Sequence, residues 1–73
     1  MSIGESDEYK IAFAAVCSAN NSSDGWVDST GFKIGFGSEF FFEHPIHGIW
    51  YVFIDRENKI AIICKKYDGI TTI

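Results

Sequence analysis

Two histidines three positions apart, His44 and His47, flank Pro45-Ile46 beside Glu43 and near Glu39. Imidazole and carboxylate are both zinc ligands. A structural zinc site needs four donors, usually as two His or Cys pairs, and this chain has one such pair. Pro45 prevents a regular helix that would turn both rings the same way, and along an extended chain an odd separation sends them to opposite faces. The segment reads as a polar turn, and no metal is expected. Cys17 and Cys64 have no C-x-x-C spacing, and each sits in an apolar run, so both read as buried free thiols rather than a redox pair or disulfide.

Nucleophilic catalysis needs a nucleophile, a base and a group that orients the base. The serines of Asn21-Ser22-Ser23-Asp24 have no G-x-S-x-G context, and Asp24 and Asp28 read as turn formers. A chain of 73 residues has little room for a pocket of ~300 Å³ once its own core is packed. The expectation is a protein that is not an enzyme, with no catalytic residues and no cofactor.

The elements that would carry these residues belong to one small soluble domain, 1–73. The chain is 47% apolar with a net charge of -4, which is globular composition. Aromatic residues make up 16%, with seven Phe, two Trp and three Tyr. Folding must offset roughly 1.5 kcal/mol of conformational entropy per ordered residue, and domains this small turn to disulfides, metals or partner surfaces. The first two lack support here, which points to the third. The acidic excess lies in residues 1–43, where Lys10 and Lys33 face seven carboxylates; residues 44–73 carry Arg56, Lys59, Lys65 and Lys66 against three. Such a balance disfavours nucleic acid and anionic membranes. No run approaches the ~18 to 20 apolar residues that span a bilayer. The segment Ile11–Val16 followed by Cys17-Ser18-Ala19 resembles a signal-peptide core, but Glu5, Asp7 and Glu8 precede it where positive charge belongs. A cytoplasmic setting is expected.

Residues 1–8 read as a polar lead-in. Tyr9–Ser18 fits two patterns. As a strand, Tyr9, Ile11, Phe13, Ala15 and Cys17 share a face; as a helix over 7–18, Tyr9, Ala12, Phe13, Val16 and Cys17 form a stripe behind an acidic first turn. The β-branched and aromatic content favours the strand. Residues 19–25 form a loop, Trp26-Val27 begins a short strand, and Asp28-Ser29-Thr30-Gly31 turns. Phe32, Ile34 and Phe36 then alternate with Lys33, Gly35 and Gly37, and residues 38–43 continue extended. Pro45 and Gly48 bracket a turn. Ile49–Ile54 is apolar on both faces, as in a central strand, and Asp55-Arg56-Glu57-Asn58 turns it into residues 59–67, with Asn58 suited to a left-handed backbone. In the returning strand Ile60, Ile62 and Cys64 oppose Ala61 and Ile63. Residues 68–73 add an edge strand. The expected fold is mainly β, an antiparallel sheet or partly open barrel of about five strands, with the hairpin 49–67 at its centre. The variant is α+β with an N-terminal helix at 7–18.

The run Gly31-Phe32-Lys33-Ile34-Gly35-Phe36-Gly37, followed by Phe40-Phe41-Phe42-Glu43-His44, resembles the aromatic nucleic-acid-binding strands of cold-shock domains over residues 31–44. It departs from that pattern at Ser38, where an aromatic would stand, and Lys33 is the one cation in the run. Base stacking works beside an electrostatic groove. The run is therefore read as a core strand backed by glycine, with no nucleic acid as partner.

On a strand Phe41 lies opposite Phe40 and Phe42, and Trp50-Tyr51 repeats the arrangement. A single small sheet leaves such aromatics partly exposed unless a second layer covers both faces. With Glu39 and Glu43 as an acidic rim, residues Phe40, Phe41, Phe42, Trp50 and Tyr51 make the expected partner-binding surface. The function expected is a non-enzymatic interaction module, a homodimer or part of a complex. It would mask a surface of another protein, in the style of a small phage or mobile-element inhibitor or accessory protein. The alternative is a binder of a nucleotide-like ligand in an aromatic pocket at a subunit interface, with Arg56, Lys59, Lys65 and Lys66 meeting phosphates. A structural subunit of a larger assembly is the third class.

Overall fold

A computed structural model describes residues 7–67, apart from the side chains of Ser29, Thr30 and Phe32. The chain is mainly β, with helix α1 (Asp7–Asn20) followed by strands β1 (Val27–Ile34), β2 (Gly37–His44), β3 (Gly48–Asp55) and β4 (Ile60–Lys66). The strands form an antiparallel meander in the order β1-β2-β3-β4. Among the described residues the sheet is open, with β1 and β4 as its edges. The expected edge strand at 68–73 and the first six residues of the lead-in lie outside the described residues; Asp7 and Glu8 open the helix.

The helical variant holds for the N-terminal segment, and the strand preferred for Tyr9–Ser18 does not form. Asp7 and Glu8 occupy the first turn, where carboxylates meet the positive end of the helix dipole. At the other end Asn21 takes a left-handed backbone (φ 52°), while the amides of Ser22 and Asn21 donate to the Cys17 and Ser18 carbonyls at 3.1 and 3.4 Å. That pattern is a Schellman stop. The stripe of the helix faces one side of the sheet and buries Ala12 and Val16 completely. Those two complete a core with Phe40, Phe42, Val52 and Ile54, flanked by Tyr9, Phe13, Trp26 and Trp50 among others. Burying each large apolar side chain contributes about 1.5–3 kcal/mol. The sheet's apolar side needs cover, and α1 lays Tyr9, Ala12, Phe13 and Val16 over it.

The hairpin over 49–67 forms as expected. Its turn is held by the Asp55 carboxylate, which accepts from the Glu57 amide (3.0 Å) and the Asn58 side chain (2.7 Å), and by the Lys59 amide on the Asp55 carbonyl (2.8 Å). These bonds hold the Asp55 carboxyl below its usual pKa, the Asn58 contact most of all. The left-handed residue is Lys59 (φ 59°) and not Asn58, whose side chain is engaged in the turn.

Two bulges alter the expected alternation. The segment Asp28-Ser29-Thr30-Gly31 does not turn; β1 runs through it, with the register shifting between Asp28 and Thr30. In β4, Phe53 pairs with Ile63 but Ile54 pairs with Ala61, which leaves Ile62 as the extra residue. A bulge reverses the facing of everything beyond it. Ala61 and Cys64 therefore both pack on the helix side, and Ile62 and Ile63 are exposed.

Arg56 joins the two turns at one end of the meander. Its guanidinium donates to the Gly35 and Gly37 carbonyls, and its amide donates to the Phe36 carbonyl at 3.1 Å. The β3–β4 turn is thereby clamped onto the β1–β2 turn.

Candidate protein-binding face of the sheet

Strand alternation sends Phe40 and Phe42 under α1 and Glu39, Phe41 and Glu43 to the opposite face. The pairings Phe41↔Tyr51 and Tyr51↔Lys65 extend that open face across the inner strands to β4. The Phe41 ring lies 5.2 Å from the rings of both Tyr51 and Tyr67, tilted by 54° and 72°. The Tyr51 hydroxyl donates to the Glu39 carboxylate at 2.7 Å. Burial, and then that carboxylate, push the Tyr51 pKa up to about 12. Nearer the Arg56 clamp, Phe36 meets Phe53 edge-on at 5.4 Å and stands 63% exposed. Ile34, Ile63 and Tyr67 are also exposed. Among the described residues no element packs over this side of the sheet.

The expected partner-binding residues divide between the two faces. Phe41, Tyr51, Glu39 and Glu43 lie on the open face. Phe40 and Phe42 are buried beneath α1, at 4% and 0% exposure, and cannot meet a partner. Trp50 shares their side of the sheet, packs against the core and donates its indole N–H to the His47 carbonyl at 3.0 Å. Phe36, Tyr67, the largely buried Phe53 and Lys65 complete the open face; the three aromatic residues were not among the expected site residues, and Lys65 was expected only for the phosphate ligand. Alternation placed Phe53 with Tyr51, but the β1–β2 turn positions Phe36, and α1 decides which side stays open.

The four cations proposed for a phosphate ligand do not converge. Arg56 is spent on the β1–β2 turn, and Lys59 lies in the hairpin turn at the far end of β4. Lys65 pairs with Tyr51 on the open face, whereas Lys66 pairs with Trp50 on the helix side.

The histidine pair is built into the β2–β3 turn. His44 Nδ1 accepts from the Ile46 and His47 amides at 3.0 and 3.3 Å, and Nε2 lies 2.9 Å from the Asp24 carbonyl. An acceptor at Nδ1 makes Nε2 the protonated, donating nitrogen. Trp26 packs on both rings, at 4.8 Å from His44 and stacked at 5.7 Å on His47. Both His44 nitrogens thus serve the backbone. Asp28, read as a turn former, instead accepts the Tyr9 hydroxyl at 2.6 Å and ties α1 to β1; burial and this carboxylate raise Tyr9 to about 12. Cys17 and Cys64 are free and half-buried, and burial pushes both thiols up.

At the end of the open face nearest the β2–β3 turn lies a groove of about 390 Å³ lined by Val27, Glu43, His44, Pro45, Gly48 and Ile49. Among the described residues no helix is long and apolar enough to cross a membrane.

Among the described residues these features define a two-layer arrangement in which one helix covers one side of a four-stranded meander. No family model matches the chain, and no curated protein or solved structure matches it significantly.

Proposed function

We propose that this domain is a non-enzymatic interaction module that uses the sheet face opposite α1 to mask a surface of another protein, as a small inhibitor or accessory protein does. One observation carries the reading: the Phe41–Tyr51–Tyr67 cluster lies on a face that nothing among the described residues covers. Phe41 and Tyr51 are half-buried and Tyr67 is exposed; accessible aromatic surface with charged groups around it is the composition of interfaces, where a few aromatic anchors supply most of the binding energy. Glu39, Glu43 and Lys65 provide the charges. The helix side is already occupied by the core, so binding through the open face leaves folding undisturbed. The cytoplasm is the setting we assign to this role, in line with the acidic charge and the free thiols.

The test is native mass spectrometry of the tagged chain purified gently from its own cells, alongside Phe41→Ala and the exposed helix control Lys10→Ala. The expected result is a complex with a second protein that survives Lys10→Ala and is lost in Phe41→Ala. A complex indifferent to Phe41, or no protein complex at all, would overturn the reading.

A further inference from the structure

We propose that the groove beside Glu43 seats one long cationic side chain, arginine or lysine, of the partner protein. The inference rests on the masking role and specifies the chemistry of what is masked. Val27, Pro45 and Ile49 form apolar walls, and Val27 is 59% exposed. Gly48 lines it with backbone alone; a Cβ there would instead meet Lys66 Cε at 3.1 Å, on the helix side. Glu43 lines the groove and is exposed, and its carboxylate has no hydrogen bond or ion pair among the described residues. Lys65, the cation of this face, is in register with Tyr51 and Phe41, so a full strand pairing separates it from Glu43.

Apolar walls beside an unpaired carboxylate fit a side chain with an aliphatic stem and a charged head. The stem packs on Val27 and Ile49, and the head makes charge-assisted hydrogen bonds to Glu43. Charge complementarity chooses among occupants. A second copy, itself at -4, would bring Glu39 and Glu43 against their own kind. Nucleic acid would set phosphate against the same carboxylates. A basic protein surface meets both the apolar walls and the charge.

The experiment titrates the isotope-labelled full chain, followed by NMR, with two short capped peptides that are identical except that arginine in one is citrulline in the other. The arginine peptide is expected to move the amide signals of Val27, Glu43, Gly48 and Ile49. Citrulline, or Glu43→Gln in the protein, is expected to raise Kd about tenfold. Equal binding of the two peptides, shifts confined to other residues, or no binding would overturn the inference. So would a dimer that already holds Glu43 in its interface, which would make a second copy the occupant. The masking role is judged separately, by whether the complex from cells depends on Phe41; that dependence can persist when the groove proposal fails.

Discussion

The Tyr51 hydroxyl donates to the Glu39 carboxylate across 2.7 Å, joining β3 to β2 on the face that α1 leaves open. Burial and this bond raise the Tyr51 pKa from 10.0 to about 12. The folded chain therefore keeps a proton that the unfolded chain releases. The contribution to stability is complete below pH 10.0 and is lost as pH rises toward about 12. Tyrosinate absorbance measured against pH should show late ionisation, and Tyr51→Phe should remove one such transition. A Tyr51 that ionises near 10.0 would contradict the geometry.

Gly37 allows the Phe53 ring to lie across β2. A Cβ at this position would fall 2.6 Å from the Ile54 carbonyl oxygen and against the ring itself. Backbone cannot give way cheaply, so Gly37→Ala should cost about 1–3 kcal/mol or more in denaturant unfolding. Gly35 makes an informative contrast. Nothing lies within 4 Å of its Cβ position, but its φ of +50° is left-handed. Gly35→Ala should cost about 1–2 kcal/mol, from conformation alone. Equal and negligible effects would show that the Phe53 ring does not lie where it is described.

Ser38 is 2% exposed, and its hydroxyl has no hydrogen-bond partner among the described residues. A buried hydroxyl without a partner carries a desolvation cost and returns nothing. Ser38→Ala should therefore leave stability unchanged or raise it by on the order of 1 kcal/mol. Phe42→Ala, at the fully buried centre of the same strand, should cost about 3–5 kcal/mol. Thermal or denaturant midpoints of the two variants check the contrast, and a destabilising Ser38→Ala would reveal a partner for the hydroxyl.

His44 should be found in the Nε2-protonated tautomer, because its Nδ1 receives two backbone amides and its Nε2 faces the Asp24 carbonyl. Nitrogen chemical shifts of the labelled imidazole report this directly. His44→Ala removes the acceptor from the β2–β3 turn and one ring from the Trp26 stack, and should cost on the order of 1 kcal/mol. Amide exchange at Ile46 and His47 should quicken with it. A Nδ1-protonated ring would break this account of the turn.

The hairpin over 49–67 was legible because its determinants are local. Apolar residues on both faces of Ile49–Ile54 mark an inner strand, and Asp55 and Asn58 carry the side-chain groups that close the turn. The opposition of Phe41 to Phe40 and Phe42 was legible for the same reason, since alternation along a strand needs no tertiary information. Glu39, Glu43 and Tyr51 followed from it.

What local chemistry left open was decided by packing. Tyr9–Ser18 satisfies a strand pattern and a helix pattern about equally; the sheet resolves them, because only the helix stripe puts Tyr9 and Phe13 on the same side as Ala12 and Val16, against the core of Phe40, Phe42 and Val52. The bulges in β1 and β4 have no signature in composition, and the one in β4 puts Ala61 rather than Ile62 beside Cys64 on the covered side. Which aromatics are exposed was decided in the same way. Phe40, Phe42 and Trp50 carry the same chemistry as Phe41 and Tyr51. The sequence by itself determined two faces rich in aromatic residues. Only the docking of α1 determined which is core and which is surface, because one helix can cover only one side of a sheet.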